Sequence, residues 1–334
     1  MSFSIKAAGL SRRFKSYEKT EGLKSSLKGF WNRKYTEKVA LHPVDLEIAS
    51  GQIIGLVGAN GAGKTTLLKM LSGLIYPSGG TAEVLGYKPW ERDHKFLRQM
   101  SILLGQKNQL WWDISPVDSF SLLADIYDLD SKLAKFRVQE LAELLDCKHV
   151  LNTQLRRLSL GERMKMEIIG SLLHSPKVLF LDEPTIGLDI VAQTTIRKFL
   201  EEYVRSQGPT VILTSHYMDD IAKLADRLLL ISKGRLVYEG TVDAFVAKTD
   251  PMQKLSFALT EPVTEELLIH KDLVIKPGQQ EFQISLNARE LVPVLAKVAN
   301  LSKVVDIKIA ETDFEDIIHE FFEKESRLLP PRGS

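Results

Sequence analysis

The sequence is poor in the features that mark secreted, membrane-spanning or nucleic-acid-coating chains. Among its 334 residues Cys147 is the only cysteine, so no intrachain disulfide can form and nothing indicates an oxidising compartment. Thiol catalysis needs a positioned base; none is legible for Cys147, which reads as a small core or near-surface residue. No uninterrupted apolar run reaches the roughly 18–20 residues that cross a bilayer. The longest, such as Val178–Leu181 and Leu228–Ile231, have the length of buried strands. No basic segment followed by an apolar one opens the chain, so no signal peptide is expected and the protein is expected in the cytosol. The net charge of +1 excludes a global field toward DNA or anionic membrane, and no nucleic-acid partner is expected. Heptad runs and internal repeats are also lacking.

What is present is unevenly placed. Residues 1–38 hold ten Lys/Arg against three Glu, so the rest of the chain is net acidic. The length suits one large domain and a smaller one. Short apolar runs alternate with helical-period stretches from Ser4 to about Thr241, the pattern of an α/β domain. Core strands are predicted at Gln52–Val57, Ser101–Leu104, Val178–Asp182, Thr210–Thr214 and Arg227–Ile231. Antiparallel edge strands are predicted near Ser4–Leu10, Val44–Ile48 and Leu236–Gly240. Residues 115–157 form a helical insert, with Pro116 tolerated in a first turn. The first domain is taken as 1–245, interrupted by a basic insertion over 16–38. Residues 251–325 read as a small separate α/β unit, and 326–334 as a flexible tail.

Gly58-Ala-Asn-Gly-Ala-Gly-Lys-Thr65 fits G-x-x-x-x-G-K-[S/T] between a predicted strand and a predicted helix. Glycines let the backbone wrap phosphates with its N–H groups turned inward, at a helix start whose dipole favours anions. Gly58, Asn60, Gly61, Ala62, Gly63, Lys64, Thr65 and Thr66 are therefore the candidate nucleotide contacts. Lys64 suits the β- and γ-phosphates and Thr65 suits Mg²⁺. Alone, the motif fits a GTPase or a small-molecule kinase equally well.

Val178-Leu-Phe-Leu-Asp-Glu-Pro184 delivers two carboxylates at the carboxyl end of a strand, where α/β sheets bind ligands. Asp182 is the candidate Mg²⁺ holder and Glu183 the candidate base for an attacking water. The plain alternative is that the pair caps the next helix. Between these motifs stands Leu158-Ser-Leu-Gly-Glu-Arg163, heading a helical stretch to His174.

In this order the elements resemble an ABC-type nucleotide-binding domain over about residues 4–241. The resemblance implies a P-loop NTPase core with antiparallel edge strands and a helical, signature-bearing subdomain over 115–175. It implies a Q-loop glutamine at Gln106, also a Mg²⁺ ligand, and a switch histidine at His216. Ser159 and Gly161 match the signature loop, usually LSGGQ, and Asp189 in Ile186-Gly-Leu-Asp189 matches the D-loop. Two positions depart from the pattern: Leu160 replaces a glycine and Glu162 a glutamine. The adenine-stacking aromatic falls best on Phe14, with Tyr17 and Tyr35 as alternatives. Such domains pair head to tail, each ATP clamped between one copy's phosphate loop and the other's Ser159, Gly161 and Asp189. A homodimer hydrolysing ATP with Mg²⁺ is the expectation.

One cassette without coiled coil or zinc site points to a transporter subunit rather than a soluble mechanoenzyme. Gln106–Asp113 and the acidic end of the small unit resemble ATPases of ABC-2-type exporters, which work with separate integral-membrane permease chains. An importer ATPase is the alternative. Trp111 and Trp112 can meet the permease or pack into the helical insert. Leu23, Leu27, Phe30 and Trp31 share one helical face, which can lie at the membrane interface or pack on the ATPase body. The expected place is the cytoplasmic face of the cell membrane, peripheral and held by the permease.

Overall fold

The computed structural model describes residues 3–17, 35–105, 108–249, 252–261, 267–271, 273–301, 304–310 and 312–328. Gln106 and the face of Leu23, Leu27, Phe30 and Trp31 lie outside the described residues. The chain forms two compact units, one within 1–240 and one within 241–330.

The first unit opens with two long strands, β1 (Phe3–Tyr17) and β2 (Tyr35–Ala49). They are followed by β3 (Ile53–Val57), helix α1 (Lys64–Leu71) and β4 (Gly79–Val84). After the short α2 (His94–Leu97) and β5 (Met100–Leu104) come α3 (Pro116–Ile126), α4 (Ser131–Leu144) and α5 (Leu160–Leu172). Then follow β6 (Val178–Asp182), α6 (Ile190–Gln207), β7 (Thr210–Thr214), α7 (Met218–Leu224), β8 (Arg227–Ser232) and β9 (Arg235–Thr241).

A six-stranded sheet has the order β5-β6-β7-β3-β8-β9, and its first five strands run parallel. Every residue of β3, β6 and β7 is buried, as strands covered on both faces require. The turn at Lys233-Gly234 sends β9 back along β8 at the edge. β1 and β2 are not edge additions to this sheet. They form a separate antiparallel sheet in the order β2-β1-β4. Its third strand was illegible because it starts with Gly79-Gly80, poor strand formers that pairing with β1 holds in place. Both ends of the segment read as an insertion over 16–38 belong to the strand ladder, where Tyr17 pairs with Tyr35 and Phe14 with Lys38.

Helix α1 lies between the two sheets. Leu67, Leu68 and Leu71 share one core with Ile5, Ile48 and Val84 of the antiparallel sheet and with Leu56, Phe180 and Ile212 of the parallel one. That burial fixes the helix whose first residues are Lys64 and Thr65.

The second unit, from residue 241, begins with α8 (Val242–Thr249), whose Phe245 is fully buried edge-on to Phe314 and Phe321. The unit continues with β10 (Gln253–Leu259), β11 (Leu267–His270), β12 (Leu273–Ile275), β13 (Glu281–Leu286), α9 (Ala288–Ala299), β14 (Val304–Ala310) and α10 (Phe314–Leu328). Its main sheet has the order β13-β10-β14. Val294 and Val298 of α9 pack on Leu255, Phe257 and Ile284. The tail predicted to start at 326 starts later, because α10 runs to Leu328. Good helix formers and a Glu320–Lys324 pair at 2.7 Å favour that extension, and Pro330 disfavours more.

Phe180→Ala should leave a cavity beneath the site and lower the first unit's stability by about 3–5 kcal/mol, read from its urea unfolding transition.

Candidate functional site

The carboxyl ends of β3, β6 and β7 converge on one cluster of side chains. The loop leaving β3 bends tightly because two of its residues have no room for a side chain. A Cβ on Gly58 would sit 2.2 Å from the Ile231 carbonyl oxygen. One on Gly63 would sit 2.7 Å from that of Ala40, on a backbone with φ of +119°. The Gly234 N–H donates to Ala62 O at 2.8 Å, pinning the loop to the β8–β9 turn. Lys64 is buried and folds back over the loop, donating to Gly58 O at 2.6 Å. Burial lowers its pKa, opposed by the carboxylates of Glu183 and Asp182. Asn60 and Gly61 stand exposed at the loop tip, Ala62 is buried beneath, and Thr66 is half-buried in the first turn of α1.

Asp182 is the centre of the cluster. The Thr65 hydroxyl donates to its Oδ2 at 2.9 Å and the Thr214 hydroxyl to its Oδ1 at 2.8 Å. A hydroxyl and a carboxylate side by side at a phosphate loop are the hard oxygen donors that Mg²⁺ takes, together with phosphate and water. The residues present thus fit the ion, with Thr65 and Asp182 as its holders.

Glu183 follows in the left-handed backbone region, with φ of 59°, a costly conformation for a non-glycine residue. Its N–H donates to Thr214 O at 3.1 Å and to Thr214 Oγ1 at 3.0 Å, which holds the turn. The carboxylate then points away from Asp182's partners, with Oε1 2.9 Å from Nε2 of His216. The structure therefore brings together Lys64, Thr65, Asp182, Glu183 and His216.

Three further residues hold these elements and were not singled out from sequence. Thr214 bridges the two carboxylate positions. Asp220, buried on α7, accepts from Thr185 Oγ1 at 2.7 Å, Ser215 Oγ at 3.2 Å and Arg197 Nε at 2.7 Å. It ties the turn after Glu183 and the segment before His216 to α6. Its position four residues past His216 was the available signal. Glu167 of α5 is buried and accepts the N–H groups of Gln109 and Leu110 at 3.0 and 3.3 Å. Burial raises its pKa against those bonds and the Arg163 charge. The signal there was a Glu on the apolar face of a helix.

Ser159 caps α5 with Glu162 in a reciprocal box. Glu162 Oε2 accepts from Ser159 N at 2.9 Å and Oγ at 2.8 Å, and Glu162 N donates back to Ser159 Oγ at 3.3 Å. The Ser159 bonds hold the Glu162 carboxyl below its usual range. Gly161 is buried, and a Cβ there would press on Ala192 of α6 at 3.0 Å. Asp189 caps α6, accepting from Ala192 N at 2.9 Å. Leu160, Ile190 and Val191 are exposed around these caps. Phe14 is exposed on β1 with the Arg12 guanidinium 4.6 Å from its ring centre. Trp111 and Trp112 are exposed as well, and Arg163 covers the Trp112 ring at 5.1 Å.

A family model described as ABC transporter matches residues 41–186. The chain is 30% identical over 215 residues to the ABC transporter ATP-binding protein NatA of Bacillus subtilis (strain 168), covering 64% of this chain and 87% of that protein. It is 36% identical over 217 residues to the daunorubicin resistance ATP-binding protein DrrA3 of Streptomyces coeruleorubidus, covering 65% and 68%. It is 34% identical over 208 residues to the Nod factor export ATP-binding protein I of Cupriavidus pinatubonensis (strain JMP 134 / LMG 1197), covering 62% and 63%. Among solved structures, cbiO1 from Clostridium perfringens, part of the ABC transporter complex cbiONQ, superimposes with a TM-score of 0.60 at 25% identity, covering 74% of this chain and 92% of that one.

Thr214→Val should cost about 1–3 kcal/mol of stability by stripping Asp182 of a buried donor, while Thr214→Ser should keep most of it. Thermal unfolding of the two variants checks this.

Proposed function

The chain belongs to the ABC transporter ATP-binding proteins, and on that premise we propose that it drives export through separately encoded ABC-2-type permease chains. It is an ATP-binding ATPase subunit; export, the separate permease and the homodimer belong to the proposal. The observation that carries the reading is the hydrogen-bonded line Thr65–Asp182–Thr214–Glu183–His216 at the phosphate loop. It holds a nucleotide-side pair of oxygen donors and, one residue on, a carboxylate oriented by His216.

In this reading Lys64 and the loop N–H groups hold the phosphates. Mg²⁺, held by Thr65 and Asp182, supplies neutralisation of phosphate charge when bound. Glu183 accepts a proton from water as its oxygen bonds to the γ-phosphorus, the bond to the β–γ bridging oxygen breaks, and ADP and phosphate leave. His216 orients Glu183 through Oε1. Ser159, Gly161 and Asp189 serve the nucleotide of a second copy. Exposed Leu160, Ile190 and Val191 around them support such a surface. Phe14 is the candidate adenine platform, and Gln106 the residue that senses the γ-phosphate side and completes the Mg²⁺ shell.

Exposed Trp111 and Trp112 support a docking surface for the permease beside Gln106. The relatives named for drug resistance and Nod factor export support the outward direction. No helix among the described residues is long and apolar enough to cross a membrane. The proposal places the chain at the cytoplasmic face of the cell membrane, held by its permease.

Glu183→Gln should bind ATP normally and hydrolyse it at least about 100-fold more slowly. Purified from its native cells in Mg-ATP and mild detergent, the variant should bring a stoichiometric polytopic membrane protein with it. Recovery of ribosomes, DNA or soluble proteins alone would overturn the exporter reading and leave the ATPase intact.

A further inference from the structure

Strand β14 is an edge of the second unit's sheet and, among the described residues, pairs only with β10. A bulge falls at Val305, and from Asp306 to Ala310 the strand keeps unbroken register with β10. Val305, Ile307 and Ile309 are 63%, 36% and 47% exposed. Asp306 and Lys308 share the opposite face, with Nζ and Oδ2 3.2 Å apart. Ile307 and Ile309 stand across from Phe257 and Leu255, so they continue the face that α9 covers on β10 and β13. The cover reaches Val304 at the start of β14 and leaves Ile307 and Ile309 partly exposed. An exposed apolar strand edge is a template for another strand.

The order Val305-Asp-Ile-Lys-Ile309 is self-complementary about its central residue. When it is laid antiparallel against a second copy with Ile307 opposite Ile307, each Asp306 faces Lys308 of the other chain. Val305, at the bulge, lies level with Ile309 of the other chain. Other registers fail on charge or face. A slip of one residue sets apolar against polar faces, and a slip of two sets Asp306 against Asp306 or Lys308 against Lys308, which is destabilising. The two charges that guard this edge against foreign strands thus admit one partner in one register.

We propose that β14 is a homodimerisation strand, pairing antiparallel with β14 of a second copy about a two-fold axis at Ile307. The axis is perpendicular to the sheet, so both apolar stripes stay on one side. Two three-stranded sheets then become one of six. Nothing in this contact involves nucleotide, so it would hold two copies together when the ATP sites are open.

The test uses the full-length, nucleotide-free chain. Antiparallel partners have Cα atoms about 4.5–5.5 Å apart, within disulfide reach. Ile307→Cys should therefore cross-link to a covalent dimer under mild oxidation. Val305→Cys and Ile309→Cys should each stay uncrosslinked alone and cross-link when mixed. The native Cys147 does not interfere, since it is buried and its thiol is pushed up to about 12. Asp306→Lys and Lys308→Asp should each weaken self-association at least about tenfold by sedimentation. Mixing the two should restore it as a heterodimer, which repair within one chain cannot explain. Monomeric Ile307→Cys, or a mixture of charge variants that stays monomeric, overturns the proposal. Either result is independent of whether Glu183→Gln captures a permease.

Discussion

Asp182 is held between two hydroxyls, one carried by the helix that follows the phosphate loop and one by the end of the neighbouring strand. Those bonds at 2.9 and 2.8 Å join three chain segments that are remote in sequence. They are short because the backbone beneath them cannot move. β6 and β7 lie in parallel register with all their residues buried, and α1 is clamped between two sheets by Leu67, Leu68 and Leu71. A buried carboxylate needs such partners, and losing one leaves a desolvation penalty unmatched. The placement of Glu183 depends on the same bonds, because Thr214 also receives the Glu183 N–H and so stabilises its left-handed backbone.

Around that centre the structure distributes buried polar groups where separate chain segments meet. Asp220 gathers the turn after Glu183, the segment before His216 and Arg197 of α6. Glu167 fastens the stretch after Gln106 to the helix that Ser159 caps. Each is a charged group kept inside by several donors, so neither segment can shift alone without stranding a buried charge. The carboxylate of Glu162 belongs to the same economy of bonds: its work in the isolated chain is to close the cap of α5 around Ser159.

Most of the site was legible because its chemistry is local. The phosphate loop and the strand-end carboxylates stand on short stretches whose residue types and spacing carry their meaning, while His216 was named only through the family resemblance. The parallel strands were legible because burial on both faces forces continuous apolar runs. β4 was not, since its glycines favour no strand by themselves and only β1 holds them extended. The change near Thr241 was legible as the end of the alternating pattern, but not that Phe245 meets Phe314 and Phe321 some seventy residues on. Thr214, Asp220 and Glu167 were missed for a related reason: a Thr ending a strand or a Glu on a helix looks the same whether solvated or buried.

The sequence by itself determined the fold class, the order of the nucleotide-site elements and the identity of the residues proposed to meet phosphate, metal ion and water. Each follows from backbone freedom, apolar period or the donor chemistry of single side chains. Only the tertiary structure decided which groups hold those residues in place, that Glu162 closes a helix cap, and that β14 remains an open edge. Those facts depend on which surfaces are removed from water, and burial is a property of the packed chain rather than of any segment of it.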